Sequence, residues 1–236
     1  MQVALVSDIH AHRVALEAVL AEIDRLGVDQ VICLGDVVDV GPHPAQTLAI
    51  LREREIVCVR GNHDPLDEGP SHAFLRDLEE WTRAQLGAEA RAWLASRPLE
   101  HAVDLDGTRL HCVHGSPRSV REDVLATTPD DELDAWTRHL DFDVLACGHT
   151  HVSMARRLAG RWVVNVGSTG QPFAAPYAGE GSPVILPFFE FAIVRGGRRG
   201  PSVELRRVPA DRAQVERATR ESGMPHAEAW LAQWRW

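Results

Sequence analysis

Lysine is absent from the sequence, so all 25 basic side chains are arginines. This absence excludes a lysine Schiff base and a phosphate loop that depends on lysine. Positive charge is also scarce, because 34 acidic residues give a formal charge of −9, which does not favour binding to a nucleic-acid polymer or an anionic membrane. The longest apolar runs, such as 31–34 and 183–189, fall far short of the ~20 residues that span a bilayer.

Cysteine is rare and does not occur in metal-binding pairs. The four cysteines, at 33, 58, 112 and 147, never form a Cys-x-x-Cys motif, and each lies within an apolar run. We therefore expect reduced, buried thiols that pack as small hydrophobic side chains. The N-terminus lacks a basic segment and reaches Asp8 too early for a signal peptide, which indicates a cytoplasmic protein.

The remaining composition is that of an ordinary globular chain. Of 236 residues, 44% are hydrophobic and 25% are charged, a balance that supports a buried core without disulfides. No linker, repeat or low-complexity tract divides the sequence. We predict one domain over residues 1–236, with a helical tail over residues 211–236.

The first half of the chain alternates short apolar strands with amphipathic helices. Strands are predicted at 3–6, 30–34 and 56–59, and helices at 14–26 and 45–54, where apolar residues recur at helical spacing. Such alternation is typical of a parallel sheet covered by helices on both faces. After further helices within 65–98 and 130–140, consecutive strand patterns from 152 to 208 indicate a second sheet packed on the first. The fold class is therefore α/β.

Polar side chains that can bind metals follow five of the predicted strands directly. Because loops at the carboxyl ends of strands line a common crevice in open α/β sheets, these side chains can converge on one point. Neighbouring glycines at 35, 61, 115 and 148 permit the tight turns that this requires. The side chains are those of Asp8, His10, Asp36, Asn62, His114, His149 and His151.

These seven candidate ligands are carboxylates, an amide and imidazoles, without a thiolate. The donor set favours Mn²⁺, Fe, Zn²⁺, Ni²⁺ or Co²⁺ in a functional site over a structural zinc site. Seven ligands exceed the needs of one ion, so two ions bridged by one carboxylate fit better. Ions about 3.5–4 Å apart hold a hydroxide between them and clamp a phosphoryl group for in-line displacement.

Five short motifs, in order along the chain, resemble the signature of the calcineurin-like metallophosphoesterases. They are Asp-x-His from residue 8, Gly-Asp-x-x-Asp from 35, Gly-Asn-His-Asp from 61, His-Gly from 114 and Gly-His-Thr-His from 148. Segments at 59–64, 81–86, 165–172 and 208–209 are similar to the small single-domain branch of bacterial and archaeal phosphodiesterases. The resemblance covers residues 1–210.

This resemblance implies a four-layer α/β/β/α sandwich in which two mixed sheets are flanked by helices. It implies that His63 contacts the phosphate and protonates the leaving oxygen, and that Asp64 orients its imidazole. The cofactors implied are two divalent metal ions, with manganese preferred to iron, zinc, nickel or cobalt. One ion would bind Asp8, His10 and His151, the other would bind Asn62, His114 and His149, and Asp36 would bridge the two.

Several other residues have two interpretations each. His12 either contacts the substrate phosphate or is a solvated loop residue, and Arg60 either binds phosphate or pairs with a local carboxylate. Asp39 either supports a metal ligand or caps a turn. Ser168 and Thr169 are expected to serve a turn rather than catalysis.

The chain departs from the related branch in a segment that we expect to border the cleft. After Gly-Gln-Pro at 170–172 the branch continues with Arg-Asp, whereas this chain has Phe-Ala-Ala-Pro-Tyr and extra residues before Phe188. Val40 stands where an aromatic residue is common. Trp230, Trp234 and Trp236 are expected to pack on the domain or at a subunit interface, with nucleobase stacking as the alternative, so a homo-oligomer stays open.

We therefore predict a metal-dependent phosphoesterase with a dinuclear centre and a bridging hydroxide. Its partner would be a small, nucleotide-like phosphodiester or phosphomonoester, with no nucleic-acid polymer and no membrane. The alternatives are a non-catalytic protein-binding scaffold on the same fold and a DNA nuclease. A scaffold is expected to lack a ligand or the catalytic histidine, and none is missing here. The net acidity and the lack of a basic, aromatic-rich tract argue against a nuclease.

Overall fold

Two five-stranded sheets form the centre of the fold in a computed structural model that describes residues 1–67, 69, 72–179, 181–198 and 200–236. Parts of the predicted helical stretch 65–98 and of the segment before Phe188 lie outside the described residues, at 68, 70, 71 and 180. The strands are β1 (Gln2–Val6), β2 (Gln30–Cys33), β3 (Val57–Cys58), β4 (Glu100–Asp104), β5 (Arg109–Val113), β6 (Val144–Cys147), β7 (Met154–Leu158), β8 (Arg161–Asn165), β9 (Phe188–Arg195) and β10 (Ser202–Pro209). The helices are α1 (Arg13–Leu26), α2 (Pro44–Glu53), α3 (Ala73–Gln85), α4 (Ala88–Ala95), α5 (Asp130–Thr137), α6 (Arg212–Glu221) and α7 (Ala227–Leu231).

The first sheet has the strand order β10-β9-β1-β2-β3, and the second has the order β4-β5-β6-β8-β7. The predicted parallel pairing of β1, β2 and β3 is confirmed. The consecutive strands from 152 to 208 do not all join the second sheet, however. β9 returns to pair antiparallel with β1, and β10 pairs with β9. Six successive residues of β9 are buried, as expected for a strand that lies inside a sheet and is covered on both faces.

Alternation along β1 shows how the layers are built. Val3 and Leu5 contribute to an apolar core between the two sheets, whereas Ala4 and Val6 contribute to the core beneath α1, α2 and α3. A third core packs α5 residues such as Trp136 against the outer face of the second sheet. The predicted four-layer α/β/β/α sandwich is therefore confirmed.

The remaining expectations about packing concern the cysteines and the tail. All four cysteines are free and buried, as predicted. The tail forms α6 and α7, and Trp230 and Trp234 are buried against the helical side of the first sheet rather than exposed for stacking. Within the described ranges, no helix combines the length and apolar character needed to cross a bilayer.

Candidate metal centre

The seven predicted ligands lie together where the carboxyl ends of β1, β2, β3, β5 and β6 meet. Two groups of three can each hold one ion, since their ligand atoms lie within 4.8 Å of one another. The two groups come from loops of both sheets, so the centre bridges the sandwich at one end. The first group is Asp8, His10 and His151, and the second is Asp36, His114 and His149.

The carboxylate of Asp36 lies between the two groups. Its Oδ2 is 3.7 Å from Nε2 of His10 and 3.3 Å from Nε2 of His114. The side-chain oxygen of Asn62 adds to the second group, because it lies 3.1 Å from Nε2 of His114. Asp8 also reaches towards both groups, with Oδ1 3.4 Å from Nε2 of His151 and 3.9 Å from that of His114.

Two of the imidazoles are oriented by backbone carbonyl groups behind them. Nδ1 of His114 lies 2.8 Å from the carbonyl oxygen of Leu34, and Nδ1 of His151 lies 2.7 Å from that of Gln171. A carbonyl can only accept, so each Nδ1 is the protonated nitrogen. Nε2 of each ring therefore turns an unprotonated lone pair towards the other ligands when the imidazole is neutral, as metal binding requires.

A buried carboxylate oxygen of this centre lacks a partner that a divalent cation would supply. Oδ1 of Asp8 is fully buried and has no hydrogen-bond partner among the described residues. Nε2 of His10 lies only 3.0 Å from Nε2 of His151, so the two ring nitrogens converge. Burial of a carboxylate oxygen without a partner costs free energy. Carboxylate, amide and imidazole donors without a thiolate match Mn²⁺, Fe, Zn²⁺ and related ions, so the residues fit a two-metal centre.

The electrostatics of the centre follow from its mixture of buried acids and imidazoles. Burial alone would raise the pKa of Asp8, but His151 and His114 outweigh burial and lower this pKa to about 2. Burial likewise opposes the charged form of His114, yet Asp36 and Asp8 raise its pKa to about 9. For His10, burial and the neighbouring His151 lower the pKa to about 3. Negative charge from the carboxylates therefore dominates the centre and favours cations.

Five of the seven ligands have backbone conformations that L-amino acids rarely adopt. Their φ angles are positive, between 48° and 68°. Such conformations cost on the order of 1–3 kcal/mol each and persist where the surrounding structure enforces them, often at functional sites. The loops thus hold their side chains in a strained arrangement that points them inwards. These ligands are Asp8, His10, Asp36, His149 and His151.

Glycines make room for the ligands at two points. A Cβ atom at Gly61 would collide with the carboxylate of Asp36, and one at Gly148 would collide with the side chains of Ser7 and Asp8. Neither glycine has a positive φ, in contrast to Gly35, whose φ is 100°. Close approach, rather than the predicted tight turn, is therefore the reason for glycine at 61 and 148.

His63 lies at the edge of the centre, and Asp39 is its carboxylate partner. Nδ1 of His63 is 2.9 Å from Oδ2 of Asp39, and its ring centroid is 5.2 Å from that of His10. Asp39 in turn accepts a hydrogen bond of 3.4 Å from Oγ1 of Thr82 on α3. Asp39 thus neither supports a metal ligand nor merely caps a turn, but orients the imidazole of His63.

The prediction that Asp64 orients His63 is wrong. The fully buried carboxylate of Asp64 accepts hydrogen bonds from three backbone N–H groups instead, those of Asp36, Val37 and Gly61, at 3.0, 2.8 and 2.7 Å. These bonds join the loop after β2 to the loop after β3. Asp64 therefore fixes the backbone that presents the ligands, because both of its oxygens are occupied by N–H groups.

Both interpretations of His12 are wrong, since this side chain is enclosed in the core, where neither substrate nor solvent reaches it. It is fully buried, and Nδ1 lies 2.9 Å from the carbonyl oxygen of Gly170. The rings of Phe189, Trp230 and Trp234 surround it with centroids 5.3 to 5.6 Å away. Burial lowers its pKa to about 4, so His12 is a neutral core residue.

The structure does not support the two interpretations of Arg60, but it supports the predicted turn function of Ser168 and Thr169. The guanidinium of Arg60 donates to the carbonyl oxygen of Ala95 at the end of α4, at 2.9 Å, and has no carboxylate partner among the described residues, so the structure supports neither interpretation. Oγ of Ser168 donates to the carbonyl of Asp8, and Oγ1 of Thr169 donates to that of Glu190. These bonds tie the turn after β8 to the loop after β1 and to β9.

Sequence reasoning missed two features at the rim of the centre. Oδ1 of Asp123, in the loop after His114, lies 3.5 Å from Nε2 of His149, and its side chain is half exposed. The ring of Phe173 stacks on the imidazole of His151 with a centroid distance of 4.1 Å and an angle of 25°. No motif marks Asp123, because it lies eight or more residues from the nearest signature. In the sequence, Phe173 stands out only as a departure from the related branch.

Comparison with known proteins agrees with this geometry. The model of the calcineurin-like phosphoesterase superfamily domain matches residues 1–181. The chain resembles the solved metallophosphoesterase from Sphaerobacter thermophilus, with a TM-score of 0.75, 29% identity and coverage of 99% of this chain and 98% of that one. The chain therefore belongs to the calcineurin-like phosphoesterase superfamily, and the predicted family membership is confirmed.

Two proteins named without an activity are also similar to this chain. The structure of the hypothetical protein PH1004 from Pyrococcus horikoshii has a TM-score of 0.81 at 20% identity and covers 98% of this chain and 96% of that one, which shows a shared fold. The uncharacterized protein MJ0912 from Methanocaldococcus jannaschii is 27% identical over 194 residues, which is 72% of this chain and 76% of that protein.

Proposed function

We propose that this protein hydrolyses phosphate esters of small molecules, phosphodiesters above phosphomonoesters, with a pair of divalent metal ions as cofactor. The observation that carries the proposal is the position of the Asp36 carboxylate, within 3.7 Å of the imidazole nitrogens of His10 and His114, which belong to different ligand groups. A shared carboxylate with three further ligands on each side is the arrangement expected of a two-metal hydrolytic site.

In this proposal the candidate ligands would divide between two ions as the family resemblance implies. When bound, the two ions supply Lewis-acid activation of water and of the phosphoryl group. Asp36 would serve both ions, and manganese remains the preferred metal because oxygen donors accompany the imidazoles. Asp8, His10 and His151 would hold one ion, and Asn62, His114 and His149 would hold the other.

His63 acts as the general acid in this proposal. Because Nδ1 of His63 is hydrogen-bonded to Asp39, the proton for the leaving oxygen comes from Nε2. The negative Asp39 favours the protonated imidazole and fixes the plane of the ring. Because the ring of His63 lies next to that of His10, it stands beside the candidate metal ligands. We place the departing leaving oxygen at this position.

The preference for phosphodiesters rests on charge at the rim. Asp123 places a carboxylate 3.5 Å from a ring nitrogen of the ligand His149. A phosphomonoester brings a second negative charge that this carboxylate repels, whereas a phosphodiester brings only one. Arg60, which could have offset that repulsion, is bonded to the end of α4.

The proposal is tested with Mn²⁺-loaded protein and two substrates, bis(p-nitrophenyl) phosphate and p-nitrophenyl phosphate. We expect metal-dependent release of p-nitrophenol, with a higher kcat/KM for the diester. Because p-nitrophenolate departs readily without a proton, H63A is assayed on a diester with an alkyl leaving group, for which kcat should fall about 10²–10⁴-fold, the range of general acid catalysis, without loss of metal. H111A is the matched control, since His111 also pairs with a carboxylate, that of Glu100 at 3.0 Å.

Absence of metal-dependent turnover of both esters would refute the proposal, as would full activity of H63A. The single domain over residues 1–236, the cytoplasmic location and the oligomeric state remain predictions from the sequence.

A further inference from the structure

The segment from Gln171 to Pro187 is anchored at the metal centre. The backbone N–H of Phe173 donates to the carbonyl of the ligand His151 at 2.9 Å. The segment then folds back on itself, since the N–H of Ala174 donates to the carbonyl of Val184 and Phe173 forms a β-bridge with Ile185. Its return limb is held by the C-terminal tail, because Ile185 exchanges backbone hydrogen bonds with Gln233 and Arg235. The segment is therefore fixed on both sides.

Its aromatic side chains form a surface that begins at a metal ligand. Phe173 stacks on the imidazole of His151, and the ring of Tyr177 lies edge-on to Phe173 with a centroid distance of 6.5 Å. The hydroxyl of Tyr177 donates to the carbonyl of Gly181 at 3.0 Å, which fixes the ring. Tyr177 is 43% exposed and Val184 is 42% exposed. We call Phe173 and Tyr177 the aromatic wall.

The chemistry of this segment suits the part of a substrate that carries no charge. Residues 172–187 contain no arginine, lysine or histidine, and Glu180 is their one acidic residue. The segment therefore cannot attract a phosphoryl group by charge. Because the hydroxyl of Tyr177 is used within the segment, the ring itself is what the wall presents to a ligand. Aromatic rings favour planar partners that stack on a face or pack against an edge.

We propose that the aromatic wall binds a planar aromatic ring of the phosphate ester, next to His151. The substrate class is then a phosphodiester in which at least one ester group carries an aromatic or heteroaromatic ring. This inference rests on the proposed phosphoesterase function, because the phosphoryl group must lie at the metal centre for its ester group to reach the wall. Phe173 and Tyr177 are specificity-determining residues that touch the substrate away from the reacting atoms.

Equilibrium binding to Mn²⁺-loaded protein tests the wall without turnover. Methyl(phenyl)phosphinate and dimethylphosphinate each carry one negative charge, as a phosphodiester does, and differ in the ring, and their Kd values are measured by calorimetry. We expect methyl(phenyl)phosphinate to bind about tenfold more tightly to the unmodified protein, as one stacking contact provides. Y177A and F173L should remove most of this preference. Y177F keeps the ring, and L205A removes an exposed apolar side chain on β10, so both should retain it.

Three results would overturn binding by the aromatic wall: an unchanged preference in Y177A and F173L, an equal loss of affinity for both phosphinates, or binding of neither phosphinate by the unmodified protein. The proposed hydrolysis fails separately. A protein that binds methyl(phenyl)phosphinate preferentially but turns over no phosphate ester would support the wall and refute the proposed function. A protein that hydrolyses diesters but shows no preference for the ring would support the proposed function and refute binding by the aromatic wall.

Discussion

Substitution of Asp64 and of Asp39 tests whether the first carboxylate supports the backbone while the second supports catalysis. Asp64 accepts three backbone N–H groups with two oxygens, one of which serves both Asp36 and Gly61. In D64N the amide oxygen can keep that pair, but the amide nitrogen then faces the N–H of Val37. One charge-assisted bond is lost, and a buried donor is left without an acceptor.

The expected cost follows from these contacts. A hydrogen bond to a charged group contributes about 1.5–3 kcal/mol, and the other two bonds weaken when the charge is removed. Removal of the charge also relieves the burial and the repulsion by Asp36 that disfavour the ionised carboxyl, which offsets part of this cost. We therefore expect D64N to lose about 1–2 kcal/mol of unfolding free energy, a fall in Tm of roughly 2–8 °C for a chain of this size. D39N should lose about 1 kcal/mol or less, because an amide oxygen can still accept from Nδ1 of His63. Its kcat should fall about 10–100-fold, since the negative charge that favours protonated His63 is gone.

Thermal and urea unfolding of both variants are measured in EDTA at pH 8, where Asp64 is ionised even though burial and Asp36 raise its pKa to about 6. Activity of the Mn²⁺-loaded proteins is measured in parallel, with its pH profile. The assignment is reversed if D39N is as unstable as D64N, or if D64N has the Tm of the unmodified protein but a shifted alkaline limb of the pH profile, the limb that reports the general acid.

Further expectations follow from other contacts. Chelation of the metals should lower Tm, and Mn²⁺ should restore it, because the ions relieve the repulsion between buried ligands; an unchanged Tm would contradict this. W230A should lose about 3–5 kcal/mol of unfolding free energy, measured by urea denaturation, because Trp230 is fully buried, whereas W236A should lose far less. Equal losses would show that Trp230 is not packed in the core. D123N should raise the ratio of kcat/KM for the monoester to that for the diester roughly tenfold. D131N, on the distant α5, is the control. An unchanged ratio in D123N would show that Asp123 does not discriminate between singly and doubly charged substrates.

The gathering of the candidate ligands could be predicted because their residue types and their places in the sequence are both local features. Each follows a short buried strand, and such strands can be recognised from the pattern of apolar residues in the sequence. A metal also constrains residue type, so carboxylate, amide and imidazole groups in a fixed order are the pattern that a metal centre requires. The layers were predictable for the same reason, since alternation along β1 separates Val3 and Leu5 from Ala4 and Val6.

The partners of those ligands could not be predicted, because they depend on the path of the backbone between motifs. Asp39 and Asp64 stand in similar positions in the sequence, three residues after Asp36 and two residues after Asn62. The positive φ of Asp39, 73°, belongs to the turn that brings this carboxylate to His63, and nothing in the residue type requires it. The surroundings of His12 could not be predicted for a related reason, since they come from the opposite end of the chain.

The parts of the sequence that were hardest to interpret prove to be one assembly. The carbonyl of Val40 accepts from both Gln171 and the indole of Trp230, at 2.9 Å each, so the loop after β2, the segment before β9 and the tail meet at this atom. The family match ends at residue 181, before β9 and the tail. Because Ile185 is paired with the tail, residues beyond the match position the aromatic wall, while residues within it supply the ligands. Transfer of the segment alone into a relative would therefore move Phe173 and Tyr177 without the support that holds them beside His151.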